Sequence, residues 1–395
     1  MKVLMPVLHY CPVIGGLEIW TQNIAERLSN KAEIFVVTGK VKDKSLKEIF
    51  NGVKIFRTSL YSLKNLSYSS PFYIFSTLPF IFLKSLRFIK KEKIDMCHCQ
   101  GFLSGFLGYL LKKLTKIPYI ITIQSADFSL YHPKASKLGL IRIMYDFVEK
   151  EVFKNAIKAH TVSKYLQKHY ESRGVKNSIL IPNGVDRDKF KELLNKREVR
   201  KELGFNVENL FVCVSRLEYK NGTHDLIKAM TYLESEIADF KLIICGGGPD
   251  RKKLEKMKIN LGLEKEIVFL GDVLHSEIPK YIACSDIFIR PSLAEGFGIV
   301  FLEAMACNVP VIGTPVGGIP DFLEDKKTGL FCQPGNPKDI AEKIKILIYD
   351  KELRNNIIKN AKEMIIDVYG WDKTSEQVGE VYKEVKRDYD NLNFP

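Results

Sequence analysis

The residues best suited to chemistry lie in the second half of this 395-residue chain, and the first group of them contains two cations. Arg216 and Lys220 are four positions apart in a polar segment that directly follows an apolar run at residues 210–214. If that run is a buried strand, both side chains lie near its carboxyl end, about one helical turn apart. A planar guanidinium beside an ammonium group suits the oxygens of a diphosphate. Pairs of Arg and Lys are common on protein surfaces, so this pair alone is weak evidence of a site.

The second group combines two carboxylates with a glycine-rich helix start. Glu295 precedes Gly296 and Gly298, and Glu303 follows within the same apolar stretch. That stretch predicts a helix, whose first turn offers unpaired N–H groups and about half a positive charge to an anion. Carboxylates beside such an anion are best used to accept hydrogen bonds from hydroxyl groups, because contact with a phosphate would be repulsive. The pattern predicts a sugar, a diphosphate and a ribose bound in a row.

Two glycine motifs follow other apolar runs. Gly15-Gly16 comes shortly after the first run, and Gly246-Gly247-Gly248 directly follows residues 241–245. Glycine at such places lets backbone N–H groups approach a phosphate closely. Neither motif is the dinucleotide pattern G-x-G-x-x-G or a P-loop, and each taken singly is more often a tight turn.

The elements that must position these residues alternate along the chain. Runs typical of strands occur at residues 2–8, 33–38, 53–57, 96–99, 119–123, 160–162 and 178–181, and again at 210–214, 241–245, 267–270, 287–290, 309–313 and 329–332. Helical segments separate them. This alternation predicts an α/β protein with two doubly wound parallel sheets, in which ligands bind beyond the carboxyl ends of strands.

Chain length also favours two domains, since single domains run to about 100–200 residues. The break falls after the turn cluster Pro182-Asn183-Gly184-Val185-Asp186, which leads into a charged helical stretch. We therefore predict a first domain at residues 1–188 and a second at residues 189–370.

In order and spacing these motifs resemble glycosyltransferase family 4, a group of retaining transferases with the two-domain GT-B fold. The resemblance covers nearly the whole chain. The matching segments are Gly15-Gly16, Asp95-Met96-Cys97-His98, Val162-Ser163, the turn at 181–186, Ser215-Arg216 with Lys220-Asn221-Gly222, Gly246-Gly247-Gly248-Pro249, Glu295 with Glu303, and Pro315-Val316-Gly317-Gly318. The resemblance implies two Rossmann-like domains facing across a cleft, the first binding the acceptor and the second the nucleotide-sugar donor. It also implies that residues 371–395 form a helix that crosses back to the first domain.

The resemblance implies a role for each residue of the candidate site. Arg216 and Lys220 would neutralise the donor diphosphate as it leaves, and Glu295 would bind hydroxyls of the donor sugar; these three are the predicted catalytic residues. The other predicted donor-binding residues are Gly15 and Gly16 in a closing loop, Gly296, Phe297, Gly298 and Ile299 around the helix start, and Glu303 at the ribose. Members generally transfer sugar with retention by front-face attack, and the leaving diphosphate is thought to help deprotonate the acceptor.

We expect no metal and no cofactor, because placed cations and a helix N-terminus can stabilise the leaving diphosphate by themselves. The segment Asp186-Arg187-Asp188 matches the D-x-D metal motif of other transferases by letter only, since it belongs to the turn between the domains.

The predicted acceptor-side residues are His98, Gln124 and Asp127. Gln124 occupies a position where many family members carry a histidine, and Gln100 replaces a second frequent histidine. Glutamine cannot take a proton, which argues against a general base at these positions. His98 is either a buried structural histidine or a group near the acceptor, and Asp127 is either an acceptor ligand or a helix cap.

Positive charge is concentrated in the first half of the chain. Of the formal net charge of +13, residues 1–190 contribute +16, from 30 basic and 14 acidic side chains, and the remainder contributes −3. Such asymmetry indicates an anionic membrane surface or nucleic acid as partner. A nucleic-acid-binding module is the non-enzymatic alternative, but the chain lacks the usual motifs of that class. Nucleic-acid binding would also leave Glu295 and Glu303 unexplained.

A basic and aromatic segment at residues 71–93 favours the membrane. On a helical wheel one face holds Leu78, Ile81, Phe82, Ser85 and Ile89, and the opposite face holds Phe80 and Leu83 among Lys84, Arg87 and Lys91. A helix lying in a headgroup layer needs that second mixture. An ordinary solvated helix is the alternative.

The remaining composition points to the cytoplasm. The eight cysteines are scattered and lie mostly in apolar runs, which predicts reduced thiols. The sequence contains no run of about 20 apolar residues, so we expect no transmembrane helix. The apolar N-terminus is interpreted as a strand and not as a signal peptide.

These observations predict an enzyme peripheral on the inner face of the cell membrane that moves a sugar from a nucleotide-diphosphate sugar to a glycan or lipid-linked acceptor. Surface polysaccharide or glycolipid synthesis is the expected setting. A soluble family member that makes a small glycoside or storage glycan is the alternative.

Overall fold

The structure is a computed structural model that describes most of the chain. The described residues are 1–13, 15–41, 43–58, 71–124, 139–193, 195–234, 236–237 and 239–393, with the backbone alone at 71–72, 139–145 and 392–393. They form two compact units. One comprises Met1–Asn183 together with the chain from Trp371 onwards, and the other comprises Gly184–Gly370.

The second unit begins at Gly184, ahead of the boundary predicted after Asp188. The reason is a local pairing of the turn with the end of the unit. The Val185 N–H donates to the Tyr369 carbonyl at 2.7 Å, and Val185 forms an isolated parallel β-bridge with Gly370. The turn cluster from Gly184 onwards is therefore part of the second unit, although its composition suggested a linker.

The first unit contains an eight-stranded sheet. Its strands are β1 Lys2–Pro6, β2 Glu33–Thr38, β3 Lys47–Phe50, β4 Val53–Arg57, β5 Met96–Gln100, β6 Tyr119–Ile123, β7 Lys158–Thr161 and β8 Ser178–Leu180. Their order is β3-β4-β2-β1-β5-β6-β7-β8, and all neighbours are parallel except β3 with β4. Chain order runs outward from β1 in both directions, so a switch point lies between β1 and β5. The helices up to this point are α1 Gly16–Leu28, α2 Pro71–Glu92, α3 Gly101–Thr115, α4 Gly139–Asn155 and α5 Lys164–Ser172.

The second unit contains a six-stranded, wholly parallel sheet. Its strands are β9 Asn209–Val214, β10 Phe240–Cys245, β11 Ile267–Gly271, β12 Ile287–Ile289, β13 Val311–Gly313 and β14 Leu330–Phe331. Their order, β11-β10-β9-β12-β13-β14, places a switch point between β9 and β12. Its helices are α6 Lys196–Glu202, α7 Thr223–Thr231, α8 Arg251–Asn260, α9 Ile278–Ala283, α10 Ile299–Ala306, α11 Pro337–Tyr349 and α12 Lys351–Asp367.

These strands form because their apolar runs are continuous. In β2 the five residues from Ile34 to Thr38 are buried, and in β9 the four from Leu210 to Cys213 are buried. Strands of a parallel sheet are covered on both faces, so they need unbroken apolar runs where half-exposed strands would alternate. The predicted α/β class with two doubly wound parallel sheets is confirmed.

The last helix, α13 Trp371–Asn393, belongs to the first unit. Val378, Tyr382 and Val385 form its buried stripe at helical spacing, and the helix packs against α1. At its start, the Thr374 hydroxyl donates to the Pro182 carbonyl at 3.1 Å.

A chain of side-chain hydrogen bonds crosses the core of the first unit. The Tyr382 hydroxyl lies 2.6 Å from His98 Nδ1, and His98 Nε2 lies 2.7 Å from Thr122 Oγ1. Thr122 Oγ1 lies 3.1 Å from His160 Nδ1, and His160 Nε2 lies 2.6 Å from the Ile181 carbonyl. The chain therefore links α13 through β5, β6 and β7 to the end of β8.

The carbonyl at one end fixes the direction of every bond. A carbonyl only accepts, so His160 carries its proton on Nε2 and accepts at Nδ1 from the Thr122 hydroxyl. Thr122 then accepts from His98 Nε2, and His98 Nδ1 accepts from Tyr382. Burial lowers the pKa of His160 to about 4 and that of His98 well below its usual range, which keeps both rings neutral.

Helix α2 has the two predicted faces, with one correction. Ile81, Ser85 and Ile89 are buried as predicted, together with Tyr73 and Thr77. On the other side Phe75, Phe80 and Leu83 are 76%, 41% and 51% exposed, and Arg87 and Lys91 are exposed too. Lys84 was expected among them, but it is half-buried and its ammonium group donates to the Arg57 carbonyl.

Two further expectations concern the membrane and the thiols. None of the helices in the described ranges is both long enough and apolar enough to cross a membrane. All eight cysteines are free, and all but Cys11 are buried.

Replacing Tyr382 by Phe tests the buried hydrogen-bond chain. The variant leaves His98 Nδ1 without its donor in a site closed to water, so we expect the free energy of unfolding to fall by about 1–3 kcal/mol. Tyr389→Phe is the matched control on the same helix, because it removes an exposed hydrogen bond to the Lys116 carbonyl. We expect the control to change stability by less than about 0.5 kcal/mol in urea unfolding. Equal losses of unfolding free energy in the two variants would show that the buried hydrogen-bond chain does not contribute to stability.

Candidate functional site

The candidate site lies at the switch point of the second sheet. The segment after β9 carries Arg216 and Lys220, and the segment after β12 carries Glu295. β9 and β12 are neighbouring parallel strands, so both segments leave the same edge of the sheet side by side. This is the place where open α/β sheets bind ligands.

The two predicted cations meet at a carboxylate. Arg216 Nε lies 3.0 Å from Glu218 Oε1, and Lys220 Nζ lies 3.5 Å from Glu218 Oε2. A short 3₁₀ turn at Tyr219–Asn221 brings Lys220 back towards Arg216. The two side chains are 61% and 42% exposed, so both can reach a ligand. The structure thus brings together the pair that the sequence selected, and Glu218 stands where an anion would compete for them.

The glycine run after β10 packs against the segment that carries Arg216 and Lys220. Gly246 and Gly248 have φ of +135° and +155°, and a Cβ on them would lie 2.0 Å from the Ser215 carbonyl oxygen and 2.5 Å from that of Leu217. The Leu217 N–H donates to the Gly247 carbonyl at 2.8 Å. These glycines therefore allow close packing of two backbones, which agrees with the tight-turn interpretation of the motif.

Backbone hydrogen bonds join the two segments of the site. The Lys220 carbonyl accepts from the N–H groups of Leu293 and Ala294, at 2.7 and 3.2 Å. Gly222, at φ +69°, faces the Pro291 carbonyl so closely that a Cβ would lie 1.8 Å from its oxygen. The position of Lys220 is consequently fixed relative to the segment that carries Glu295.

Glu295 is held at both carboxylate oxygens. Its Oε1 accepts from the Gly296 N–H at 3.0 Å, and its Oε2 forms an ion pair with Arg290 Nη2 at 2.6 Å. Gly317 packs directly on its backbone, because a Cβ there would lie 1.7 Å from the Glu295 carbonyl oxygen. The Gly318 N–H donates to that same oxygen at 3.3 Å. The side chain is 16% exposed, and its Oε2 atom is buried against Arg290.

Arg290 is a site residue that the sequence analysis missed. It directly follows strand β12 and pairs with Glu295, while its Nη2 also donates to Asn221 Oδ1 at 3.0 Å. Asn221 Nδ2 in turn donates to the Arg216 carbonyl at 2.6 Å. One guanidinium therefore ties the carboxylate of one segment to the backbone of the other. The available signal was a charged residue at the end of an otherwise apolar buried strand.

Helix α10 begins at Ile299, four positions after Glu295. Gly298 precedes it at φ +95°, and the Phe301 N–H donates to the Gly298 carbonyl at 3.0 Å. The N–H groups of Ile299 and its neighbours form the first turn, where a helix offers donors to an anion. The Phe297 ring is buried against Phe322 and contributes only its backbone to the site.

Glu303 lies in the second turn of α10 and is almost completely buried. Its Oε1 accepts from His275 Nε2 at 3.3 Å. His275 was not selected from the sequence, where a single histidine in a loop after a strand carries no recognisable pattern.

The other predicted donor-binding residues, Gly15 and Gly16, lie in the first unit. Gly15 is the N-cap of α1, and its carbonyl accepts from the Ile19 N–H at 2.9 Å. They follow β1, one of the two strands at the switch point of the first sheet. That this loop closes on the donor stays a prediction.

The predicted acceptor-side residues have different outcomes. Gln124 follows β6 and is half-buried, and its Nε2 has no hydrogen-bond partner among the described residues. His98 is wholly buried and both its ring nitrogens are occupied, so the structure favours the structural interpretation of this residue. Asp127 lies outside the described residues. Gln100, at the end of β5, is buried, and within the part of the chain that the structure describes neither of its amide atoms has a partner, which marks it as a further polar group at the same sheet edge.

The D-x-D segment forms a turn. Asp186 Oδ1 accepts from the N–H groups of Asp188 and Lys189, at 3.1 and 3.2 Å. Within the described ranges no cluster of three or more His, Cys, Asp or Glu side chains is arranged to hold a metal ion.

Two family models match the chain. The model described as Glycosyltransferase Family 4 matches residues 14–189, and the model described as Glycosyl transferases group 1 matches residues 195–364. The matches fall one in each half and together span most of the sequence.

Whole-length relatives agree with them. An uncharacterized glycosyltransferase of Methanocaldococcus jannaschii is 30% identical over 396 residues, covering 97% of this chain and 98% of the relative. The N-acetyl-alpha-D-glucosaminyl L-malate synthase of Bacillus anthracis is 25% identical over 400 residues, covering 99% of both chains. Among solved structures, the sucrose-phosphate synthase of Thermosynechococcus elongatus matches with a TM-score of 0.84 at 23% identity, over 97% of this chain and 98% of that one.

The Arg290–Glu295 pair can be tested by a double-mutant cycle in urea unfolding. Arg290→Met leaves the Glu295 carboxylate without its cation, and we expect it to lower the free energy of unfolding by about 2–3 kcal/mol. Adding Glu295→Gln should recover at least about 1 kcal/mol of that loss, because a neutral amide needs no cation. The exposed Arg197→Met is the control and should change little. Additive single effects would show that the two side chains are not coupled.

Proposed function

The chain belongs to glycosyltransferase family 4, and we propose that it transfers a sugar with retention to a glycan or lipid-linked acceptor on the cytoplasmic face of the cell membrane. Family membership makes it a glycosyltransferase of GT-B fold that uses nucleotide-sugar donors. The observation that carries the proposal is the convergence of Arg216, Lys220 and Glu295 at one sheet edge beside the start of α10.

Arg216 and Lys220 would bind the diphosphate of the donor. Both now share the single carboxylate of Glu218, and a diphosphate offers more charge and more acceptor oxygens than that carboxylate does. As the sugar leaves, negative charge grows on the diphosphate. Cations and helix N–H groups that are already in position stabilise that charge without reorganisation.

Glu295 would recognise the sugar. Arg290 pairs with the carboxylate and orients it, while the Gly296 N–H binds its other oxygen. A carboxylate held in this way is a hydrogen-bond acceptor for sugar hydroxyls and a weak nucleophile. This supports front-face attack by the acceptor, with the leaving diphosphate taking the acceptor's proton, over a covalent intermediate on Glu295.

We propose that donor chemistry needs no metal ion. The charges that a metal would neutralise face two placed cations and a helix start, which supplies part of the same stabilisation. The D-x-D carboxylate of Asp186 is used to cap its own turn.

The acceptor would be presented at a membrane by the first unit. On α2, the exposed Phe75, Phe80 and Leu83 accompany Arg87 and Lys91 on one side of the helix. Apolar groups of this size gain free energy by burial in the headgroup layer, and each nearby cation adds about 1 kcal/mol on anionic lipid. Half-buried Lys84 is left out of this surface.

The exposed apolar surface continues on β3. Ile49 and Phe50 project from this edge strand, and Leu46 precedes it. Burial lowers the pKa of Lys84 on α2, and the charge of Lys47 on β3 lowers it further, so the two elements are close. An exposed apolar edge strand invites pairing with other chains, and contact with a bilayer would cover it.

A soluble enzyme with a small acceptor is the second candidate. It is favoured by the relative named for synthesis of an N-acetylglucosaminyl malate, which matches over the whole chain. Gln100 and Gln124 at the first sheet edge are neutral groups and suit hydroxyl-bearing acceptors of either kind.

The donor site can be tested by calorimetry with UDP, GDP and ADP and their sugars, in the presence of a chelator. Lys220→Ala should weaken binding of the preferred nucleoside diphosphate and of its sugar alike, by about tenfold or more. Glu295→Gln should weaken the nucleotide sugar by a similar factor and leave the free diphosphate unchanged. The exposed Lys253→Ala is the control. Full binding of the sugar nucleotide by Glu295→Gln would remove Glu295 from the sugar site.

Membrane docking can be tested by flotation with phosphatidylcholine vesicles that contain or lack phosphatidylglycerol. We expect anionic vesicles to carry the protein and neutral ones to carry much less. Replacing Phe80 and Leu83 by Ser, or Arg87 and Lys91 by Gln, should abolish flotation. The control Ile259→Ser with Lys256→Gln changes an equally exposed pair on α8 and should float normally. Binding that is absent, or indifferent to the α2 variants, would favour the soluble candidate.

A further inference from the structure

Three ionisable side chains from distant parts of the second unit form a contact series. Lys189 Nζ lies 2.6 Å from His275 Nδ1, and His275 Nε2 lies 3.3 Å from Glu303 Oε1. Glu303 is almost completely buried, and His275 is mostly buried. Arg216 and Lys220 instead meet at Glu218, and Glu295 pairs with Arg290, so the series forms a second cluster in the same unit.

Local structure holds each of the first two members in place. The Asp186 carboxylate caps the turn that presents Lys189, and the Phe190 N–H donates to the Asp186 carbonyl at 2.8 Å. The Phe190 ring is buried and meets the His275 ring edge to face, with centroids 5.7 Å apart. An ammonium over that ring and an imidazole against it restrict both side chains.

The contacts determine the protonation of His275. An ammonium group only donates, so His275 Nδ1 accepts the hydrogen bond from Lys189. The ring therefore carries its proton on Nε2. That N–H points at the Glu303 carboxylate. The series is therefore directional, from the Lys189 ammonium through the His275 ring to the Glu303 carboxylate.

The electrostatics agree with this order. Burial lowers the pKa of Lys189, and the negative charges of Glu303 and Asp186 act in the opposite direction. The charge of Glu303 therefore acts on Lys189 across the imidazole ring of His275. Glu303 gains a compensating cation without direct contact, which leaves the rest of its carboxylate free of a salt bridge.

We propose that His275, braced by Lys189, is a positioning residue for recognition of the nucleotide ribose. It holds Oε1 of Glu303 so that the carboxylate presents its remaining acceptor capacity to the two ribose hydroxyls. This inference rests on the proposed function, in which Glu303 binds the ribose of the nucleoside diphosphate. It adds two residues that act through Glu303 and that no motif contains.

The series also ties the ribose site to the start of the second unit. Lys189 follows the turn at Val185 and Asp186 that is paired with Tyr369 and Gly370 at the end of that unit. A ribose bound by Glu303 is thereby linked, through His275, to the segment at which the chain enters and leaves the unit.

The experiment compares nucleoside diphosphates with and without ribose hydroxyls. Binding of the preferred diphosphate among UDP, GDP and ADP, and of its 2′,3′-dideoxy analogue, is measured by calorimetry for the wild type and for His275→Leu. We expect His275→Leu to weaken the natural ligand about tenfold and the dideoxy analogue by less than about twofold, because only the former uses Glu303. His275→Gln should recover most of the affinity, since an amide can accept from Lys189 and donate to Glu303.

Lys189→Met gives a second test with less risk to folding. We expect it to weaken the natural ligand about threefold, again with little effect on the analogue, while the exposed Lys191→Met changes neither. Equal losses for the two ligands would overturn the inference and leave His275 a structural residue. If the wild type bound no nucleoside diphosphate, the proposed function itself would fail, so the two failures are distinguishable.

Discussion

The candidate donor site depends on the close approach of two backbones at the edge of the second sheet. The segments after β9 and β12 touch at Gly222 and Pro291, where no side chain fits, and are joined through the Lys220 carbonyl. Gly246, Gly248 and Gly317 allow further backbones to pack against them from two sides. These glycine contacts fix the relative positions of the backbones that carry the candidate side chains.

The candidate site contains three carboxylates near the proposed position of a diphosphate, and each has a positively charged partner. Glu218 is shared by Arg216 and Lys220, Glu295 is paired with Arg290, and Glu303 is compensated by Lys189 through His275. In the first arrangement the cations are exposed, so an anionic ligand would exchange with Glu218 and leave Glu295 and Glu303 to accept from hydroxyls.

Sequence alone was sufficient for the features that depend on local pattern. Continuous apolar runs predicted the parallel strands, and the positions of Arg216, Lys220 and Glu295 after such runs predicted that they meet at one sheet edge. It was insufficient where a side chain meets a partner far along the chain. Arg290 contacts Asn221, and His275 contacts Lys189 and Glu303, and these contacts appear only once distant segments come together.

The same limit explains the two features that differ from expectation. Lys84 falls on the polar side of a helical wheel, which contains no information about the Arg57 carbonyl that binds it. The turn at residues 182–186 has the composition of a linker, yet its pairing with Tyr369 and Gly370 makes it part of a folded unit.

The hydrogen-bond partner that α13 supplies to the first unit has a consequence for synthesis on the ribosome. His98 Nδ1 accepts a hydrogen bond from the hydroxyl of Tyr382, which lies 284 residues later in the chain. All of the second unit is translated between these two residues, so it is complete while the first still lacks its last helix. Domains generally fold in the order in which they emerge. Here the domain that starts first must finish last, and until then the groove that α13 will fill is open to chaperones and to other nascent chains.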